Sequence, residues 1–202
     1  MQKIKTPPQI RRLFIGDVHW KVEQYHRILE KHTDIPSIQV WDFWFRKHHE
    51  WHLKHIDSKQ HKIVFWNHDD YSYCYKPHSL WDASYLDGIM TIRWADSIDK
   101  HYRTEWIDWW REEELPYEFL NNLIDEVKIL KPKIIVSHDC PQFIRAMEFG
   151  IDESSRTSQA LQAIFEAWQP EVWIFGHHHM RIDKEMHGTR FICLEELWYI
   201  VI

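Results

Sequence analysis

Asp17-Val18-His19 and His177-His178-His179 each place two metal-type side chains two residues apart. In an extended segment that spacing turns both to one side, able to grip a single ion. Asp42, Asn67-His68 and His138 add further oxygen and imidazole donors. No Cys joins them, so the donor set suits Mn, Fe, Zn or Ni at a reactive centre rather than a structural zinc site. Seven residues, Asp17, His19, Asp42, Asn67, His138, His177 and His179, are too many for one ion and enough for two. A carboxylate between two cations can bridge them. Two cations about 3.5–4 Å apart clamp a phosphoryl group and lower the pKa of a shared water toward ~7. Singly, each motif also has a plain structural reading as a strand-end turn, a helix cap or a polar loop.

The elements that must position these side chains alternate between β-rich and helix-like runs. Strands are expected over 11–18, 37–43, 61–66, 88–95, 133–139 and 171–179. Helices are expected over 21–32, with Val22, Tyr25, Ile28 and Leu29 on one apolar face, over 116–131 with Pro116 in its first turn, and over 154–168 with Ser154 or Ser155 as cap. A polar, His-rich helix is expected after the second strand, and a hairpin over 180–197 turning at His187-Gly188. The metal-type residues fall at the C-terminal ends of five of these runs. In open α/β sheets that edge is where sites form. Scattered surface histidines would not be phased in this way. No Gly/Ser linker, repeat or low-complexity segment interrupts the chain, which favours one domain over 1–202.

The ordered blocks GDVH (16–19), WD (41–42), NHD (67–69), SHD (137–139) and GHHH (176–179) resemble the calcineurin-like metallophosphoesterases. That family carries D-x-H, G-D, G-N-H-[DE], a lone His and G-H-x-H, in that order. The resemblance implies two mixed β-sheets packed face to face with flanking helices, a four-layer αββα sandwich. It implies that Asp17, His19 and His179 hold one metal, Asp42 bridges, and Asn67, His138 and His177 hold the second. His68 would be the proton donor to the leaving oxygen or a clamp on the transition state, roles that suit a group where charge builds during phosphate-ester cleavage. His178 is left out. The implied activity is hydrolysis of a phosphomonoester or phosphodiester through a metal-bridging hydroxide, with two divalent ions as cofactors, Mn first and Fe, Zn or Ni as alternatives.

Two departures qualify the resemblance. The second-block Asp of the family's protein phosphatases is Phe45 here, which disfavours phosphoprotein substrates; Arg46 falls in the Arg slot and could touch phosphate, although a solvated helix-start role is plainer. Trp109 and Trp110 match a Trp-Trp pair of smaller bacterial and phage members; the segment 95–116 could shape a substrate pocket, although packing of the two Trp against the core is the plainer expectation. The second departure concerns glycine. Trp20, Trp41 and Trp66 stand where the family has Gly, and Trp44, Trp81, Trp94 and Trp106 where Gly is expected by the same resemblance. The chain has 13 Trp and 5 Gly, against a usual Gly share of about 7%. A non-Gly residue at positive φ costs roughly 1–2 kcal/mol. The seven are therefore expected to be glycines misread as Trp, through a codon that the source organism reads as Gly. The alternative is a catalytically silent metal-binding module of the same fold, its site blocked by Trp20, Trp41 and Trp66.

Bulk properties limit the partners. Twenty-five Lys and Arg against 31 Asp and Glu give a net charge of −6. That mild acidity argues against stable nucleic-acid binding and so against a nuclease. Three scattered Cys point to a reducing compartment. No apolar run reaches the roughly 18 residues of a membrane span, and the first residues lack a signal-peptide core. A cytoplasmic enzyme acting on a small phosphate ester or nucleotide is expected. His48, His52 and His55 share a helical face, but interleaved Lys47, Glu50 and Lys54 favour a solvated helix.

Overall fold

The computed structural model describes residues 10–40, 42–43, 53–64, 77–80, 82–97, 102–105 and 113–202. Strand β1 (Leu13–Ile15) is short and wholly buried. Because successive strand residues face opposite ways, Leu13 and Ile15 enter one apolar cluster and Phe14 another. Helix α1 (Val22–Lys31) covers the first cluster with Val22, Tyr25, Ile28 and Leu29, the four positions its spacing predicts. Strands β2 (Ser37–Val40), β3 (His61–Val64) and β4 (Ser79–Leu80) follow in parallel, and β11 (Tyr199–Val201) closes the sheet antiparallel to β1. The order is β11-β1-β2-β3-β4.

The second sheet has the order β5-β6-β7-β8-β10-β9. Strands β6 (Ile89–Ile92), β7 (Ile134–Ser137), β8 (Val172–Phe175) and β10 (Thr189–Cys193) run parallel; β5 (Ala83–Leu86) and β9 (Ile182–Met186) are antiparallel edges. Phe14, Ile38, Val40 and Val64 of the first sheet share a core with residues of all four parallel strands, so the sheets pack face to face. Helices α2 (Tyr117–Leu130), α3 (Gln142–Phe149) and α4 (Arg156–Ala167) contribute Leu123, Val127, Ile144, Leu161, Ile164 and Phe165 to the same core. The architecture is an α/β sandwich of two mixed sheets with helices outside.

Several local expectations are met. The β9–β10 hairpin turns on His187 and Gly188, both at positive φ (52° and 80°), the pattern that a two-residue turn between twisted strands requires. Ser155 caps α4, its hydroxyl accepting from the Ser158 amide. Others are corrected. Pro116 sits at the cap position of α2 rather than inside its first turn. Strands β1, β7 and β8 are shorter than their apolar runs, because the polar residues after them turn away into the site. Among the described residues α3, β4, β5 and β11 were not anticipated. Of the His-rich segment expected to be helical after the second strand, His48, His49 and His52 lie outside the described residues, as do the pair Trp109-Trp110 and Cys74. Cys140 and Cys193 are buried free thiols. No helix among the described residues is long and apolar enough to cross a membrane.

Candidate metal centre

The site begins where β1 stops. The Gly16 amide donates to the Trp198 carbonyl at 2.8 Å, and a Cβ on Gly16 would stand 2.2 Å from the Glu195 carbonyl oxygen. Only glycine lets the C-terminal segment 194–198 approach this closely. Asp17 follows, fully buried. The amides of Val18 and His19 both donate to the Asp42 carbonyl, at 3.1 and 2.9 Å, which ties the turn after β1 to the end of β2. His19, Trp20 and Asp42 have left-handed backbones, with φ of 41°, 68° and 40°. The expectation of an extended D-x-H is thus corrected: a turn gathers the two side chains.

The same holds for His177 and His179, at φ 67° and 48°. His179 Nδ1 lies 3.7 Å from Asp17 Oδ2, and the His19 and His179 rings stand 4.9 Å apart. One donor atom from each of Asp17, His19 and His179 lies within 4.8 Å of the others. Asp42 Oδ2 is 3.5 Å from His19 Nε2. Across the junction between the sheets, His138 leaves β7 and His177 leaves β8, with Gly176 donating its amide to the His138 carbonyl. His177 Nδ1 and His138 Nε2 are 3.1 Å apart. Asn67, His68 and Arg46 lie outside the described residues.

The electrostatics of this group fit a divalent cation. Burial pushes the Asp17 carboxyl well above its usual range, and the carboxylates of Asp42 and Glu196 add to the effect. Neither Asp17 oxygen, nor His177 Nε2, has a hydrogen-bond partner among the described residues, although all three atoms are buried. Burial lowers the His177 pKa to about 4, so its imidazole is neutral and able to ligate. Burial also lowers the pKa of His179, aided by His19. At His19 the burial penalty is outweighed by Asp42 and Glu196, and the pKa rises. Buried carboxylates that repel one another beside neutral imidazoles are the donor set a hard or borderline cation takes up.

Two features were not legible as functional. Glu196 Oε2 lies 3.1 Å from His19 Nδ1, and its other oxygen pairs with Lys21. It follows β10, which is parallel to β8, so the phasing of polar residues at strand ends could have found it. His178, set aside because it points away from its neighbours, is buried with Nε2 3.2 Å from Asp139 Oδ1 and its ring stacked on Phe149 at 3.8 Å. Arg145 completes that pair at 3.4 Å from Asp139 Oδ2. Burial pushes the Asp139 carboxyl up, but donation from His178 and the nearby His177, His178 and Arg145 hold it down at about 2.

No protein family matches the chain by sequence, and no curated protein does. Solved structures do match. One is a 5′-nucleotidase candidate from Staphylococcus aureus, in complex with alpha-ketoglutarate, at 14% identity and a TM-score of 0.56 over 95% of this chain. This chain spans half the length of that protein. Another is GAP50, the anchor in the inner membrane complex of Plasmodium, at 11% identity and a TM-score of 0.51, covering 93% of this chain and 72% of that one. The chain shares the overall fold of these two proteins.

Proposed function

We propose that the chain is a metal-dependent phosphoric ester hydrolase, a single cytoplasmic domain over 1–202. The observation that supports this best is the buried Asp17 carboxylate, which lacks a hydrogen bond among the described residues and sits within ligand reach of His19 and His179. Asp17, His19 and His179 would hold one divalent cation, and Asn67, His138 and His177 another, with Asp42 between them. Two such cations, when bound, supply Lewis acidity to a phosphate ester and to a water. The chain's own groups do the rest. Asp42, whose carbonyl accepts from the Val18 and His19 amides, is held beside the first ligand set. His68 donates a proton to the leaving oxygen, and Arg46 contacts phosphate. A small phosphate ester or nucleotide is the substrate, with Mn the first metal to assay and Fe, Zn or Ni next.

The reading is tested with the chain freed of metal by EDTA. Hydrolysis of p-nitrophenyl phosphate or bis-p-nitrophenyl phosphate is expected to vanish and to return with Mn²⁺. Turnover that survives EDTA would overturn it. Trp20, directly after His19 and 38% exposed, favours one second reading, a metal-binding module without turnover. Two bound cations with no hydrolysis of either substrate would select that reading.

A further inference from the structure

We propose that Glu196 is a positioning residue that fixes the tautomer and the aim of His19 toward the first cation. This rests on the metal-dependent reading above. Both nitrogens of the His19 ring face a carboxylate. Nδ1 is 3.1 Å from Glu196 Oε2, within hydrogen-bond reach, and Nε2 is 3.5 Å from Asp42 Oδ2, beyond the usual N–H···O range. An ionised carboxylate can only accept, so the nearer one, Glu196, places the proton of the neutral ring on Nδ1. That leaves Nε2 with its lone pair directed into the space that Asp17, Asp42 and His179 share. A ligating histidine whose other N–H is held by a carboxylate is more basic and cannot swing.

Glu196 is itself held in place. The Leu194 amide donates to Phe175, Leu197 to Asp17 and Gly16 to Trp198, so the segment 194–198 is laced to the ends of β1 and β8. Lys21 holds the second carboxylate oxygen. The absence of a Cβ at Gly16 is what brings the segment near enough. The chain thus uses its C-terminal segment, beyond any of the five motif blocks, to complete the shell around a ligand from its first strand.

The test uses the full chain, with Mn²⁺ as probe and free Mn²⁺ counted by electron paramagnetic resonance. The unaltered chain is expected to bind two ions. Glu196→Ala should weaken one of them on the order of 10–100-fold. Glu196→Gln keeps an acceptor for Nδ1–H and should stay close to the unaltered chain. In the metal-free chain, at a pH high enough to keep the His19 ring neutral, long-range ¹H–¹⁵N correlation should show it protonated on Nδ1, and in Glu196→Ala a mixture of tautomers. A His19 protonated on Nε2 in the unaltered chain would overturn the proposal even if no variant folded. So would full Mn²⁺ affinity in Glu196→Ala, or a Gln variant as weak as the Ala one, which would make Glu196 a ligand. An unaltered chain that binds no Mn²⁺ would instead remove the metal-dependent reading, and this proposal with it.

Discussion

The His178 imidazole and the Asp139 carboxylate, 3.2 Å apart and both almost fully buried, join the turn after β8 to the turn after β7. These two turns carry His177 and His138. Arg145 of α3 approaches the same carboxylate and donates to Ser155 Oγ at 3.1 Å, which extends the link to the cap of α4. Asp139→Ala would leave the Arg145 guanidinium buried without its carboxylate. Breaking a buried pair from one side costs about 3–5 kcal/mol. Urea unfolding should show a loss of that order; a loss below about 1 kcal/mol, the scale of an exposed pair, would mean that water already reaches the pair.

The sequence carried the outline of this site because strands impose a period. An apolar run followed within two residues by Asp, Asn or His marks the exit of a buried strand, and β1, β2, β7 and β8 all end that way. The face of α1, the His187-Gly188 turn and the Ser155 cap were legible for the same local reasons. The left-handed backbones of His19, Asp42, His177 and His179 were not, because nothing in the residue types announces a positive φ. Helix α3 has Pro141 and Gly150 at its two ends but only eight residues, too few to display a period. Glu196 meets His19 across 177 positions, and only its place after β10 marks it in the sequence.

Asp17 should trade stability for function. Without a cation its carboxylate is buried beside Asp42, and both burial and that neighbour resist its ionisation. Asp17→Asn removes the charge at nearly constant shape. In EDTA the variant should melt at a higher temperature than the unaltered chain. With Mn²⁺ in excess the order should reverse, since binding to the folded state stabilises only the chain that can ligate. A variant that melts lower in EDTA would show that Asp17 has a structural partner instead.

His61 offers a pH-dependence away from the metal ligands. It sits at the start of β3, its Nδ1 2.9 Å from Ser37 Oγ on β2. Burial lowers its pKa, with Asp57 opposing and His78 assisting. The folded chain therefore keeps the ring neutral, while the unfolded chain protonates it near the ordinary histidine value of about 6.5. Below that pH the unfolded state binds more protons, so stability is complete above it and falls as the pH drops toward the folded pKa. His61→Gln keeps polar atoms for Ser37 without the titration. The stability difference between the unaltered chain and this variant, from urea unfolding at pH 8 and pH 5, should shift in favour of the variant at pH 5. An unchanged difference would mean that the ring is solvated.

Trp20 and Trp94 are the two described members of the seven positions expected to be glycine, and both have positive φ, 68° and 108°. Trp94 is also buried in the main core, 5.6 Å from the Phe119 ring, so its backbone is constrained while its indole is packed. Comparing Gly with Ala at each position removes the indole from both sides of the comparison and isolates the backbone. Where φ is positive, Gly should be more stable than Ala by about 1 kcal/mol, the cost of the left-handed region to a residue with a Cβ. Ordinary helical or extended backbone would give the opposite sign, because Gly has more freedom to lose on folding. Peptide mass spectrometry of the protein from its own source should then find Gly at 20 and 94. Trp at both positions, together with Ala as stable as Gly, would show that these indoles belong to the protein and that its fold accommodates them.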